Sequence, residues 1–241
     1  MKNMIKVLMI LLFGTVLTGT AFAQVDGDGY VGVYDKYLWR GFDLSGSMPV
    51  AQAGVDIGAE GVTLSVWGNM QLRSDHSQGY DSGELTETDI TLDYTRKFAH
   101  GISVGIGNIF YVLDGMEDTG EVYISIAADT LLQPSFTVYY DWDEAEEDGL
   151  FYTIALGHEF AVNDAVAINL GTLVSYNQSS DYAVGDYNGL HNCEVNIGAT
   201  YTINSHLDVA VSLMFSQGLS SAAREVLDAE TVSGVTLSYA F

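Results

Sequence analysis

The sequence predicts an all-β fold, a transmembrane antiparallel up-and-down β-barrel of about 12 strands that follows a cleaved signal peptide. Three observations predict it: an export signal, strand-length segments in which apolar and polar residues alternate, and connections that alternate between short and long. After the export signal, the chain contains no run of about 18 uncharged apolar residues. A closed barrel is the other form in which a chain can satisfy its backbone groups in lipid.

The first 23 residues have the composition of a secretory signal peptide. Lys2 and Lys6 form its positive end, residues 7–17 are apolar, and residues 21–23 form an Ala-Phe-Ala cleavage motif. We therefore expect export through the inner membrane and a mature outer-membrane barrel over residues 24–241, in the envelope of a Gram-negative-type cell.

Alternation with a period of two is clearest in the segments 101–112, 135–142 and 207–215. Apolar residues there alternate with small or polar ones, as expected for strands with two different faces. A soluble antiparallel sheet with one wet face has the same pattern, so the alternation alone does not distinguish it from a membrane barrel. The arrangement of the connections favours the barrel.

Short and long connections alternate along the chain. The short ones are rich in turn-forming residues and occupy 60–61, 99–101, 130–134, 163–164 and 204–206. The long ones are mostly polar and occupy approximately 41–49, 73–84, 114–120, 144–149, 178–188 and 217–229. This order predicts about twelve strands with both termini on one side, short periplasmic turns and long outer loops. The last strand ends on Phe241, an ending that resembles the assembly signal of many outer-membrane barrels.

The chain is strongly acidic, with 32 acidic and 8 basic residues, two of the latter in the signal peptide. Six basic against 32 acidic residues give the mature chain a formal charge of −26. This charge argues against nucleic acid binding and favours cationic solutes. The densest acidic cluster, at 141–148, matches no defined calcium loop, so we expect at most loosely bound divalent cations that bridge to lipid headgroups.

If the apolar residues face lipid, the residues of opposite parity face the lumen. Val31, Val33, Tyr37 and Trp39 are then predicted to face lipid. Lumenal or constriction positions are predicted for Lys36, Arg40, Glu87, Asp89, Asp93 and Glu194. A Lys or Arg on the lipid face near the midplane would cost about 2–4 kcal/mol. Two interpretations stay open: a transverse field that selects solutes, or ion pairs that brace a narrow barrel.

The histidines and the single cysteine do not suggest an enzyme. His76 and His191 lie in or beside predicted outer loops, His100 and His206 lie in short turns, and His158 faces lipid by its register. No nucleophile–histidine–acid arrangement is recognisable. Cys193 is expected to be a small strand residue. The sequence therefore predicts no catalytic, cofactor-binding or metal-binding residue.

The amino-terminal third resembles the TorF-like porins, a bacterial family long described as conserved hypothetical. Residues 37–42 read Tyr-Leu-Trp-Arg-Gly-Phe, and a Pro-x-x-Gln step and a Val-Trp-Gly-Asn segment follow. The residues that match the family pattern are Arg40, Gly41, Pro49, Gln52, Trp67 and Gly68. The resemblance implies an outer-membrane barrel with a porin role and implies no particular substrate.

These observations favour a passive, cation-preferring pore for small hydrophilic solutes that uses no cofactor. Its expected surroundings are outer-membrane lipid and lipopolysaccharide. A closed structural or surface-interaction barrel is the alternative, and a membrane-embedded lipid hydrolase is a third hypothesis that the fold permits but no site supports.

Overall fold

A computed structural model describes residues 25–77, 79–144, 149–180 and 184–241. The predicted signal peptide and residues 145–148 of the acidic cluster lie outside these ranges. The described residues form the strands β1 (Asp26–Tyr34), β2 (Leu38–Trp39), β3 (Phe42–Asp43), β4 (Val50–Ala59), β5 (Val62–Gln71), β6 (Leu85–Lys97), β7 (Ile102–Leu113), β8 (Thr119–Ala128), β9 (Ser135–Asp141), β10 (Leu150–Asn163), β11 (Val166–Ser180), β12 (Gly185–Asn204), β13 (Leu207–Gly218) and β14 (Glu230–Ala240). They also form a 3-10 turn at Ala99–Gly101 and the helix α1 (Ser221–Val226).

All strands except β2 and β3 form one closed antiparallel barrel. The first strand closes it, because β1 pairs with β4 on one side and with β14 on the other. Tyr34, for example, lies opposite Val50 in β4 and Gly234 in β14. The barrel therefore has twelve strands, each next to its neighbour in sequence apart from the β1–β14 closure, and both strand ends of the chain lie at the same rim. This confirms the predicted fold class.

The outer face of the barrel is apolar, as the alternation predicts. Ile106, Ile124 and Ile197 expose 55%, 58% and 50% of their surface. Gly105 and Gly107, which flank Ile106 in sequence, point inward and are buried. Exposed apolar residues at every second position are the pattern of strands that face lipid. No helix in the described part of the chain is long and apolar enough to cross a membrane.

The short connections fall at the predicted places and form tight turns. Between β4 and β5, Glu60 and Gly61 both have positive φ, 53° and 86°, as in the two-residue turns that join antiparallel strands. A Cβ on Gly61 would lie 2.5 Å from the carbonyl oxygen of Thr95. Glycine is required there for both reasons.

Two of the predicted long outer loops, 178–188 and 217–229, are shorter than expected because the neighbouring strands continue into them. In place of a loop over 178–188, β11 runs to Ser180 and β12 begins at Gly185. The Asn177 side chain on β11 binds the backbone of β12 in this extension: its Nδ2 donates to the carbonyl oxygens of Gly185 and Tyr187, at 2.7 and 2.8 Å. The connection 219–229 contains α1, which is capped by the Ser220 hydroxyl.

Candidate functional site

The connection between β1 and β4 folds into the barrel and is the main feature of its interior. We call residues 35–49 the inner hairpin. Its strands β2 and β3 pair Leu38 with Asp43 and Trp39 with Phe42. Arg40 and Gly41 form its tip, with φ of 50° and 88°. This corrects the prediction that 41–49 is an outer loop.

The Arg40 side chain at the tip reaches the far wall of the barrel. In the strand order, β9 and β10 are the strands farthest from the seam between β1 and β4 where the inner hairpin originates. The Arg40 guanidinium carbon lies 5.0 Å from the ring centroid of Tyr139 on β9 and 4.2 Å from that of Phe151 on β10. The inner hairpin therefore crosses the lumen.

A buried ion pair and aromatic rings hold the Arg40 side chain. Nη2 donates to Oε2 of Glu121 on β8 at 2.7 Å, and the two side chains expose 9% and 3% of their surface. The Tyr111 hydroxyl donates to the same oxygen at 2.9 Å. The guanidinium also stacks on Trp39 at 4.4 Å. Rings at this range stabilise a desolvated cation.

Two effects act in opposite directions on the pKa of Arg40. Burial lowers this pKa and is the largest single effect, but the Glu121 carboxylate and the nearby Tyr111 and Tyr139 together raise it by more, so the net shift is upward. The guanidinium stays charged. The ion pair is therefore a fixed element of the barrel interior.

His191, on β12, holds the backbone at the tip of the inner hairpin. It is fully buried, and its Nε2 lies 2.7 Å from the carbonyl oxygen of Arg40. A carbonyl can only accept, so Nε2 carries the proton, and Nδ1 accepts from the Tyr187 hydroxyl. The residue lies beside a long connection as predicted, since its carbonyl oxygen accepts from Leu219 N at 2.8 Å, but its side chain points into the barrel.

A β-bulge in β12 turns both His191 and Asn192 into the barrel. The register of β11 with β12 shifts between Val174–Cys193 and Tyr176–Leu190, so β12 carries one extra residue there. His191 and Asn192 are consequently both fully buried. A bulge inverts the inward and outward alternation beyond it.

A second ion pair anchors the base of the inner hairpin. Nζ of Lys36 lies 2.6 Å from Oε2 of Glu230 on β14, and the two side chains expose 16% and 18% of their surface. The hydrogen bond to Glu230 is the main reason that the pKa of Lys36 is raised, against a smaller lowering by burial.

The Asp43 carboxylate organises the turn that returns the chain to β4. It accepts hydrogen bonds from the backbone N–H and the hydroxyl of both Ser45 and Ser47, at 2.6 to 2.9 Å. Partial burial raises the pKa of Asp43, but these hydrogen bonds together outweigh it, so the pKa lies below its ordinary value.

Tyr37 and Trp39 lie inside the barrel, so the prediction that they face lipid is wrong. The physical reason is that β1 ends at Tyr34 and the chain then turns inward, with Asp35 N donating to the Ser233 carbonyl at 3.0 Å. Tyr37 is 7% exposed and packs on Trp67, with ring centroids 5.5 Å apart. Val31 and Val33 do face outward and are about half exposed, at 49% and 52%.

The predicted lumenal acids point inward but do not surround Arg40. Glu87 is 5% exposed and bonds to the Tyr37 hydroxyl. Asp93 accepts from the Tyr123 hydroxyl at 2.8 Å, and Glu194 accepts from Asn192 Nδ2 at 3.0 Å.

The two acids that pair with Lys36 and Arg40 are not among the predicted lumenal residues. Glu121 and Glu230 bond to Arg40 and Lys36, respectively. The alternation rule applied to β8 and β14 would have placed both acids inside. It would not have identified their partners, since these lie on the inner hairpin.

The lumen is narrowed further by tyrosines that lie over glycines of the wall. Cβ atoms built on Gly54 and Gly107 would come within 2.5 Å and 2.3 Å of the rings of Tyr30 and Tyr123, respectively. Glycine at these positions lets each ring lie flat against the neighbouring strand.

The residues of the family motif form the inner hairpin and the wall beside it. Arg40 and Gly41 are its tip, and Trp67 packs on its Tyr37. Gln52 Nε2 donates to Asn69 Oδ1 at 3.2 Å, and the Pro49 carbonyl accepts from Leu72 N at 3.0 Å. Gly68 faces outward on β5, where an added Cβ would lie 3.3 Å from Leu85.

The residues that carry the family resemblance are therefore those that build the inner hairpin and the wall beside it. A family model described as "bacterial protein of unknown function (Gcw_chp)" matches residues 20–211. The chain belongs to the Gcw_chp family. The region that matches the Gcw_chp model contains Arg40, Glu121 and His191, so it includes the contacts that hold the tip. No curated protein matches the chain.

Several solved outer-membrane porins and channels have a fold similar to that of this Gcw_chp protein. The NanC porin superposes with a TM-score of 0.57 at 12% identity, over 90% of this chain and 99% of that one. The KdgM porin gives 0.57 at 14% identity, again over 90% and 99%. An outer membrane channel from Pseudomonas putida F1 gives 0.55 at 11% identity, over 92% and 97%. At these identities the likeness concerns the fold.

Proposed function

We propose that this Gcw_chp protein is an outer-membrane channel of the TorF-like kind, through which small hydrophilic and preferentially cationic solutes diffuse passively. The observation that carries the proposal is the imbalance of charge inside a barrel of porin type. Each of the two cations of the inner hairpin, Lys36 and Arg40, is neutralised by a carboxylate of the wall. The remaining inward carboxylates give the lumen a negative field.

The uncompensated carboxylates are distributed along the barrel rather than in one cluster. Asp28 and Asp56 lie opposite each other near the rim that carries the strand ends of the chain. Asp93 lies further along β6, and Glu87 and Glu194 lie near the inner hairpin. Carboxylates spaced along a low-dielectric passage raise the local concentration of cations and repel anions.

The inner hairpin narrows the passage on this proposal, and solutes pass it on the side of β6, β7 and β8. A cavity of about 300 Å³ lies there between the inner hairpin and the wall. The similarity of the fold to porins and channels supports a role without chemistry. No cofactor is needed, since concentration gradients supply the driving force.

Liposome swelling tests this function with solutes of different charge. Proteoliposomes that contain the mature protein should swell fastest in a cationic amino acid such as lysine, more slowly in a neutral sugar of similar size, and slowest in glutamate. Replacing Asp93→Asn together with Glu194→Gln should reduce the preference for lysine, whereas Glu60→Gln, in a turn between strands, should not. Equal rates for lysine and glutamate would contradict the cation preference.

A closed structural barrel is the second candidate, and the anchoring of the inner hairpin favours it. Arg40 is held by an ion pair with the buried Glu121, by the buried His191 and by three aromatic rings, of which Phe151 is buried and Trp39 and Tyr139 are half-buried. Under this alternative, wild-type protein does not swell liposomes in any solute. An Arg40→Ala variant that does swell them would then identify the inner hairpin as the closure.

A further inference from the structure

The inner hairpin and the wall of the barrel enclose a cavity of about 300 Å³. The hairpin side consists of Trp39, Phe42 and Leu44, and the wall side includes Leu113 and Met116. Most of the lining is therefore apolar. A cavity of this size with mostly apolar walls and a few convergent polar groups is typical of a small-molecule site.

The polar part of the lining is acidic. Glu87, Glu121 and Asp141 line the cavity, and all three are buried, with exposures of 5%, 2% and 3%. The three carboxylates differ in their hydrogen-bond and ion-pair partners, and this difference shows which of them could bind a ligand.

Two of these carboxylates are already satisfied by the protein. Glu121 forms the ion pair with Arg40. Asp141 accepts from the Thr119 hydroxyl at 2.7 Å and from the backbone N–H groups of Asp143 and Glu144 at 3.0 and 3.1 Å, so it holds the adjacent loop.

Glu87 lacks a cation. In the described part of the chain no lysine or arginine pairs with it, and its hydrogen-bond partners are the Tyr37 hydroxyl and the Asp89 carboxyl. Asp89 leaves its Oδ1 buried without a hydrogen-bond partner among the described residues. A buried carboxyl group, Glu87, beside the half-buried carboxyl group of Asp89 and without a counter-ion lowers the stability of the barrel, and a bound cation would compensate this cost.

We infer that this cavity binds a small organic cation that carries an apolar group, such as an arylalkyl ammonium ion. The ammonium group lies against Glu87, and the apolar group lies between Phe42, Leu44 and Met116. A purely inorganic cation leaves the apolar walls unused, and a neutral apolar molecule leaves Glu87 uncompensated. This inference names a class of solute for the proposed channel and rests on that proposed function, because the cavity lies on the proposed path of the solutes.

Calorimetric titration of the detergent-solubilised protein tests the inference without any measurement of transport. Three probes separate the contributions: phenethylammonium, which has both groups; 2-phenylethanol, which lacks the charge; and ethylammonium, which lacks the ring. We expect saturable binding of phenethylammonium at least tenfold tighter than that of either analogue. Equal affinities for phenethylammonium and 2-phenylethanol, or no saturable heat with phenethylammonium, would overturn it.

Two variants locate the site. Glu87→Gln should weaken phenethylammonium binding about tenfold, because a charge-assisted hydrogen bond becomes a neutral one, and Glu60→Gln is the matched control. Met116→Lys places a competing ammonium at the cavity. Met116 is 62% exposed, so this second variant tests the site even if Glu87→Gln does not fold. Unchanged affinity in Met116→Lys would contradict the location.

The binding result is distinguishable from the transport result. Cation-selective swelling without phenethylammonium binding would refute this site and leave the proposed function intact. Binding without any transport would support the site and refute the channel.

Discussion

Arg40 and Glu121 form a buried ion pair across the interior of the barrel, with Nη2 and Oε2 2.7 Å apart. Arg40 belongs to the tip of the inner hairpin, and Glu121 belongs to β8 in the wall. The pair therefore joins two parts of the molecule that the barrel hydrogen bonds do not join. Its role follows from this position, because it fixes how far the inner hairpin fills the lumen.

Removal of the Arg40 side chain should open the passage. Arg40→Ala deletes the ion pair and the ring contacts and leaves Glu121 buried without its cation. Breaking such a pair typically costs about 3–5 kcal/mol, enough to release the tip from the far wall. We expect a larger single-channel conductance in planar bilayers and a lower thermal unfolding midpoint than for wild type.

Arg73→Ala is the matched control for this prediction. Arg73 is exposed in the connection between β5 and β6, so its loss should change neither quantity. If Arg40→Ala lowers the unfolding midpoint but leaves the single-channel current unaltered, Arg40 braces the barrel and does not limit the passage.

Substitution of Gly41 should destabilise the tip by two separable effects. Its φ of 88° is strained for any residue with a Cβ, and the added Cβ would lie 3.1 Å from Leu227 and 3.2 Å from Asn192. Gly83 has nearly the same φ, 86°, but an added Cβ meets nothing within 4 Å. Gly83→Ala therefore isolates the backbone effect, expected to be about 1 kcal/mol.

Gly41→Ala should lower the free energy of unfolding by more than Gly83→Ala, measured by urea titration of the detergent-solubilised protein. The excess reports the packing of the tip against Leu227 and Asn192. An equal loss in both variants would mean that the tip is not packed as described.

Acidification should loosen the base of the inner hairpin through Asp43. Its pKa in the folded protein lies below the ordinary 3.8, so its contribution to stability is complete above about pH 4 and decreases as the pH falls through the lower folded value. Between pH 5 and pH 2, the thermal unfolding midpoint of wild type should therefore fall further than that of Asp43→Asn. Parallel pH profiles for the two proteins would contradict this role.

The alternation of apolar and polar residues predicted the barrel only together with the order of short and long connections, and it then assigned each strand residue to the lipid face or to the lumen. Ile106 and Tyr111, for instance, lie on the outer and inner faces that their parity assigns. The rule also places Glu87, Asp93 and Glu194 inside, where the structure has them.

The alternation rule failed where the chain leaves the regular hydrogen bonding of the barrel strands. Tyr37 and Trp39 continue the parity of Val31 and Val33, and local pattern does not reveal that β1 ends before them and the chain turns into the lumen. A bulge in β12 turns His191 inward, which the alternation rule does not predict. The pairing of Arg40 with Glu121 joins residues far apart in sequence and depends on the inward fold of the hairpin.

The reversal potential across planar bilayers that contain the wild-type protein, measured in a KCl gradient, tests the central claim most directly, since that claim concerns the sign of the field in the lumen. At neutral pH the potential should have the sign that indicates K⁺ permeating faster than Cl⁻, and the effect should shrink as the salt concentration rises. A reversal potential of the opposite sign would contradict the account.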